Sequence, residues 1–335
     1  MRDILKDLIF RTFRLFGVYR FLRFRERGKA VVLTYHGVLP EIPQNGAGYE
    51  YRNFVTTRQF EQQIKLLLKH YRPLKVDNFY QPNGNLAGGF LITFDDGFRN
   101  NYRYAMPLLK KYGLQGCFFI STKLIGTRDY LWTEQVTLLL EKTAKSRLEL
   151  NLDERRVFEI DTPLKKEKAS QQIRKQMKRM PQQQLYITLK QLQAQLSDVS
   201  LKVGEAEEER YLFMTWDEVR EMIAAGQHIG GHTHTHPMLA TLTETESYEE
   251  LKCSKEAIEK NTSQPCLTMS YPNGEKEDYS ETQFAQLEKL GYKCAFTQVP
   301  LFNTKTTNRF ELRRVNVSLK MPITLLEAKL CGFLK

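Results

Sequence analysis

Seven short apolar or β-branched runs recur along the chain, at residues 30–35, 90–94, 116–121, 228–231, 266–271, 293–299 and 311–318. Between most of them apolar residues return every three or four positions, as in Phe60, Ile64, Leu67 and Leu68, or Trp216, Val219 and Met222. Runs of this length read as buried strands and the intervening spacing as amphipathic helices. Strands that alternate with helices build parallel sheets and barrels. In such folds the loops after the strand C-termini carry the chemistry. With 335 residues, 41% of them hydrophobic, the chain can bury the core of one large α/β domain, with or without an insertion.

The alternation fails between about 128 and 212, where charge and glutamine are dense and Gly204 is the only glycine. Leu185, Leu189, Leu192 and Leu196 keep helical spacing, and Pro181 stands where a helix can begin. A helical insertion is expected here. It follows the third strand run, so it is expected to rise from the face that carries the chemistry, as a lid or a partner surface.

Net charge is +11, and residues 1–29 hold nine Lys/Arg against three Asp/Glu. The same segment is rich in Leu, Ile and Phe, but Arg11, Arg14 and Arg20 interrupt its apolar runs, leaving nothing near the ~20 residues a spanning helix needs. Two readings remain: a basic amphipathic segment lying on an anionic membrane surface, or a helix packed on the domain with a solvated charged face. Nucleic acid is not an expected partner, because no binding motif joins the basic residues. Five widely spaced cysteines (117, 253, 266, 294 and 331) form no CxxC pair, which disfavours a disulfide framework or a zinc ribbon. With no signal-peptide pattern, the expected location is cytoplasmic, peripheral on the inner membrane face if residues 1–29 bind lipid. The expected organisation is a basic segment, 1–29, and a barrel, 30–335, interrupted by 128–212.

Two motifs stand at the ends of strand runs: Thr93-Phe94-Asp95-Asp96-Gly97 and His232-Thr233-His234-Thr235-His236. Neighbouring positions at a strand end point different ways, so one aspartate can bind a metal while the other handles protons. His232 and His236 are four apart, and if the chain turns helical after Thr233 both rings share one face; His234 then points elsewhere. Two imidazoles and a carboxylate leave open positions on zinc or a similar divalent ion, the arrangement that activates water. The competing readings are two solvated rings on a surface helix, and aspartates that merely serve the turn before Gly97.

Taken together, TFDDG at 93–97 and GGHTHTHP at 230–237 resemble the polysaccharide deacetylases of carbohydrate esterase family four. VVLTYHGV at 31–38, FFIST at 118–122 and TWDEV at 215–219 extend the resemblance over most of residues 30–320. It implies a distorted (β/α)7 barrel and removal of an N-acetyl group from an amino sugar of a glycan or glycolipid by a divalent metal, usually zinc. By position, Asp95 resembles the base, and Asp96, His232 and His236 the metal ligands. Tyr271, before Pro272-Asn273-Gly274, matches the loop that donates a backbone N–H to the oxyanion.

Two positions depart from the family pattern. Ser270 stands where well-known members have an arginine that orients the base, and no histidine follows His236 to serve as the general acid. His36, at the end of the first strand run, is the candidate acid because it opens onto the same barrel mouth. Arg314 is the candidate orienter of Asp95, since a guanidinium can bridge a carboxylate with two bonds. Trp132 is a candidate platform for a sugar ring, as is Trp216, against the commoner role of tryptophan in a core. The same site would also serve O-deacetylation, and a catalytically silent glycan-binding barrel is the alternative of another class.

Overall fold

In the computed structural model, residues 10, 12–42 and 51–333 are described. Each of the seven runs contains a strand: β1 (Ala30–Tyr35), β2 (Gly89–Phe94), β3 (Gly116–Ile120), β4 (His228–Gly231), β5 (Thr268–Ser270), β6 (Cys294–Phe296) and β7 (Val315–Asn316). They lie side by side in the order β6-β5-β4-β3-β2-β1-β7, and every neighbouring pair is parallel. The ring is completed by irregular chain: Leu312 N–H donates to Ala295 O and Thr297 N–H to Leu312 O, at 3.0 and 2.8 Å. The result is the distorted (β/α)7 barrel. Its last strand is only two residues long because the preceding segment, 309–312, hydrogen-bonds to β6 instead.

The strands are buried on both faces, and their alternation sorts side chains into two layers. Ala30, Val32, Leu91, Cys117, Phe119, Cys294 and Phe296 share one cluster inside the barrel. Val31, Leu33, Tyr35, Phe90, Ile92, Phe94 and Phe118 point the other way, into the core under the helices. Several helices start with the same grammar. Thr56 with Gln59, Thr215 with Glu218, Thr243 with Glu246 and Ser280 with Gln283 form capping boxes, each cap contributing about 0.5–2 kcal/mol. TWDEV is thus a helix start.

Residues 132–211 carry their own apolar cluster, which includes Trp132, Leu139, Ile173, Leu189 and Leu192. Helices Trp132–Lys142, Pro163–Met177 and Gln182–Gln195 surround an antiparallel hairpin, Arg147–Asn151 with Arg155–Glu159. The hairpin departs from the all-helical expectation. Its strands alternate, with Leu148 and Leu150 inward between exposed Arg147 and Asn151, a period-two signal hidden by the surrounding charge.

The N-terminal helix Val18–Arg25 buries Tyr19 and Leu22 against Ala328 and Cys331, while Arg14 and Arg23 pair with the buried Glu327. Its other face leaves Phe21 and Phe24 exposed, with Leu15 and Phe16 just before it. Residues 1–9 and Arg11 lie outside the described residues. No described helix is long and apolar enough to cross a membrane.

Close strand packing makes Gly230 of β4 irreplaceable. A Cβ there would meet Thr268 O at 2.7 Å and Phe119 Cδ1 at 2.7 Å. Gly230→Ala is expected to lower unfolding free energy by about 1–3 kcal/mol in urea denaturation. Gly28→Ala, where a Cβ meets nothing within 4 Å, should have no comparable effect.

Candidate active site

Strand alternation explains why the two aspartates do different things. Leu91, Thr93 and Asp95 fall on the interior face of β2 and its extension, so Asp95 enters the barrel lumen, where it is 2% exposed. There Arg314, fully buried, donates from Nη1 to Asp95 Oδ1 and from Nη2 to Oδ2, each at 2.8 Å. The guanidinium is itself aimed: Nε donates to Thr297 O at 2.7 Å, Nη1 also reaches Thr93 Oγ1 at 3.2 Å, and the group lies over the Phe119 ring. Ser270 Oγ and Gln298 Nε2 donate to the same carboxylate at 3.0 and 3.1 Å. Burial pushes the Asp95 carboxyl up, but the charges of Arg314 and His232 and the Arg314 hydrogen bonds outweigh it, so the net shift is downward.

Asp96 leaves the strand in the left-handed region, φ 76°, which swings its carboxylate away from its neighbour's. Its Oδ1 lies 3.4 Å from His232 Nε2 and 3.3 Å from His236 Nε2. The histidines do not converge through a helix. Thr233 and His236 are both left-handed, φ 61° and 64°, and the segment is a tight turn in which Thr233 Oγ1 accepts from His236 N–H at 3.0 Å. Glu250, from the outer helix Glu244–Thr262, clamps this turn: it accepts from His234 N–H, Thr235 N–H and Thr235 Oγ1 at 2.8, 2.8 and 2.6 Å. Left-handed non-glycine residues cost on the order of 1–3 kcal/mol each and persist only where surroundings over-determine them. His234 turns outward to Thr122.

One ligand atom from each of Asp96, His232 and His236 lies within 4.8 Å of the others, and all three residues are buried. His232 Nδ1 lies 2.8 Å from Ser270 O, which can only accept, so the proton sits on Nδ1 and Nε2 keeps its lone pair for an ion. His236 Nδ1 is buried with no hydrogen-bond partner. A divalent cation of the zinc type fits this donor set. Ser270 is a hinge between the two functions, since its hydroxyl touches His232 Nδ1 at 2.7 Å as well as Asp95.

His36 lines the same groove as Asp95, Asp96, His232 and His236. Its Nδ1 is buried without a partner, and burial lowers its pKa against the opposing pull of Asp96 and Asp95. Two expectations are corrected. The Tyr271 N–H is spent on Phe296 O at 3.0 Å and its hydroxyl on Phe310 O, so Tyr271 cannot supply the oxyanion donor. On that loop Pro272 has no N–H, while those of Gly274 and Glu275 bind Pro272 O and Asp278; Asn273, which lines the groove, is the remaining source. Trp132 is buried in the insertion's own core, and its neighbours Leu131, Thr133 and Glu134 form the groove wall instead. Trp216 packs against the main core.

Sequence reasoning missed Glu250 and Gln298; it expected the insertion on the face of the site but did not single out the residues that reach the groove. Arg174, Lys175 and Lys178 line one wall. Lys178 Nζ donates to Asn273 Oδ1, and burial with nearby Arg174 and Arg52 pushes its pKa down to about 8. Gln182 Nε2 donates to Thr235 Oγ1 at 3.1 Å. Helical spacing at 171, 174, 175 and 178 was the available signal.

A model of the polysaccharide deacetylase family matches residues 87–295, more than half of the chain, and the protein belongs to that family. YxkH of Bacillus subtilis is 24% identical over 228 residues, 68% of this chain and 51% of that protein. The poly-β-1,6-N-acetyl-D-glucosamine N-deacetylase of Staphylococcus epidermidis is 30% identical over 138 residues, 38% of this chain and 47% of that enzyme. The chain thus spans about half the length of these curated relatives. Among solved structures, the Streptococcus pyogenes deacetylase PplD aligns with a TM-score of 0.57 at 20% identity, covering 89% of this chain and 96% of that one. IcaB from Ammonifex degensii aligns at 0.55 and 18%, covering 91% and 97%. These structural likenesses establish the fold.

Removing Arg314 leaves the Asp95 carboxylate buried and short of its main partner. Arg314→Met is expected to lower unfolding free energy by about 3–5 kcal/mol. The loss should shrink markedly in the Asp95→Asn background, and a double-mutant cycle by chemical denaturation measures the coupling.

Proposed function

We propose that the protein is a divalent-metal-dependent N-deacetylase that hydrolyses the acetamido group of an amino sugar in a glycan or lipid-linked glycan precursor. The observation that carries this reading is a division of labour within one groove: Asp96, His232 and His236 form a three-ligand set, and a second carboxylate, Asp95, is held outside it by Arg314. When bound, the ion, zinc by the nature of the donors, supplies polarisation of the acetyl carbonyl and acidification of water. Asp95 takes the proton of the attacking water. Its four side-chain donors hold it in one orientation, so little reorganisation is needed as the proton moves. His36, which burial keeps mainly neutral, takes up a proton and gives it to the departing amine. The Asn273 N–H, the donor on this loop not taken by Phe296, Pro272 or Asp278, serves the oxyanion. Retention of the whole ligand and base set argues against a silent glycan-binding barrel.

The exposed aromatic face of the N-terminal segment supports a second element of this reading, peripheral contact with an anionic membrane. Phe16, Phe21 and Phe24 are 81%, 66% and 62% exposed, among exposed Arg20, Arg25 and Arg27. Aromatic rings enter the headgroup boundary while each arginine near the surface adds about 1 kcal/mol on anionic lipid. The five free cysteines support a reducing, cytoplasmic setting.

Acetate release across lipid-linked, nucleotide-linked and polymeric acetylated sugars tests the activity. Asp95→Asn should cut kcat by about 10²–10⁴ with metal content retained, whereas His232→Ala and His236→Ala should lose the metal itself. His36→Ala should slow amide hydrolysis more than hydrolysis of an O-acetyl ester, whose leaving group needs less protonation; equal rates of amide hydrolysis with and without His36 would remove it from the scheme. Phe21→Ser with Phe24→Ser should reduce sedimentation with phosphatidylserine vesicles at least tenfold, and unchanged sedimentation would leave the helix as a purely packed element.

A further inference from the structure

Beside the catalytic groove lies a second cavity of about 790 Å³. Glu275, Gln298 and Asn316 line both, so the two adjoin. The cavity follows the barrel flank next to β7. At one end is Asn316, in register with Thr34 near the active-site end of β1. At the other is Phe302, whose neighbour Asn303 bridges Ala30 at the opposite end. The four steps from Ala30 to Thr34 span about 13 Å of strand at roughly 3.3 Å each. The far end is bordered by Arg25 and Lys29, directly after the exposed Phe21 and Phe24.

The lining has two characters. Pro300, Leu301 and Phe302 provide apolar surface. Over it stand Arg313 and Lys329, and among the described residues neither has a carboxylate within ion-pair distance, whereas Arg25 and Lys29 share Glu26 at 2.7 and 2.5 Å. A neutral sugar chain has no use for unpaired cations above hydrocarbon. An amphiphile that carries sugar, phosphate and hydrocarbon matches a trough that adjoins the groove of Asp95 at Gln298 and Asn316, holds Arg313, Lys329 and apolar surface, and is bordered at its far end by Arg25 and Lys29.

We propose that this trough binds the phosphate and the first hydrocarbon units of a lipid carrier on which the acetylated sugar is presented. The sugar end of the proposal rests on the deacetylase reading; the lipid-phosphate end does not. Arg313 and Lys329 neutralise the phosphate, and Pro300, Leu301 and Phe302 cover the adjoining chain, which continues toward Phe21 and Phe24 and the membrane.

Farnesyl phosphate, kept below its aggregation concentration, is the probe, and its binding to the full-length protein is measured by titration calorimetry without any turnover. Saturable one-to-one binding is expected, weakened at least tenfold by Lys329→Glu and further by Arg313→Glu with Lys329→Glu. Phe302→Asp should weaken it by a similar factor. Lys329 sits on the helix Ile323–Leu330, apart from the catalytic side chains, and unchanged thermal midpoints identify variants that remain folded. Farnesol and uridine monophosphate, each carrying half of the recognition, should displace the probe at least tenfold less well than farnesyl phosphate itself. Absence of saturable binding, undiminished affinity in the folded Lys329→Glu variant, or equal displacement by uridine monophosphate would overturn the proposal. Probe binding without acetate release from any acetylated sugar would discard the deacetylase reading and leave the trough; acetate release without probe binding would do the reverse.

Discussion

The buried pair of Arg314 and Asp95 is the constraint around which the barrel mouth is arranged. Two charges out of water are tolerated only when geometry is close to ideal and the remaining donors are satisfied, and both conditions are met: a two-bond fork, a backbone carbonyl for Nε, and additional donors from Ser270 and Gln298 to the acid. The partners come from the end of β2, from β5, from the residue before β7 and from the chain after β6, so the pair tests the closure of the whole ring. A barrel that failed to bring its last strand beside its first would strand an aspartate in an apolar lumen.

Much of the architecture was legible because parallel, doubly buried strands read as continuous apolar runs. Phe90 to Phe94 and Val31 to Tyr35 announce themselves in this way. The aspartate and histidine motifs were also legible, since residue types suited to metal and proton chemistry stand at strand ends. What the residues could not disclose was how the histidines converge. Four-residue spacing suggested a helix, but Thr233 and His236 adopt left-handed backbone, in a turn clamped by Glu250 from the helix that follows it. The hairpin at 147–159 was concealed for a different reason: its exposed faces are charged and its buried face holds few residues. Tyr271 was misjudged because backbone donors are allotted by strand pairing, here to Phe296, which a motif does not record.

The replacement of an expected arginine by Ser270 is not a loss in this molecule. The small side chain leaves room in the lumen for Arg314 to approach from the other side of the ring, and its hydroxyl joins the base to a ligand histidine. Charge and orientation are thus conserved as a physical requirement while the strand that provides them changes. The insertion behaves similarly: it keeps its own apolar core yet lends Lys178 and Gln182 to the groove and the histidine turn, so its surface and the site are built jointly.

Glu250 lies outside the histidine motif yet fixes its shape. One carboxylate on the outside of the barrel accepts three donors from the histidine turn, and through them it decides whether two rings face the same point. A related chain could keep both histidines and both aspartates, satisfy any pattern written from those letters, and still present its imidazoles in divergent directions if this helix position were altered. The spelling of the motif and the competence of the site are therefore separable traits, and the residue that joins them is inherited on a different segment of the chain.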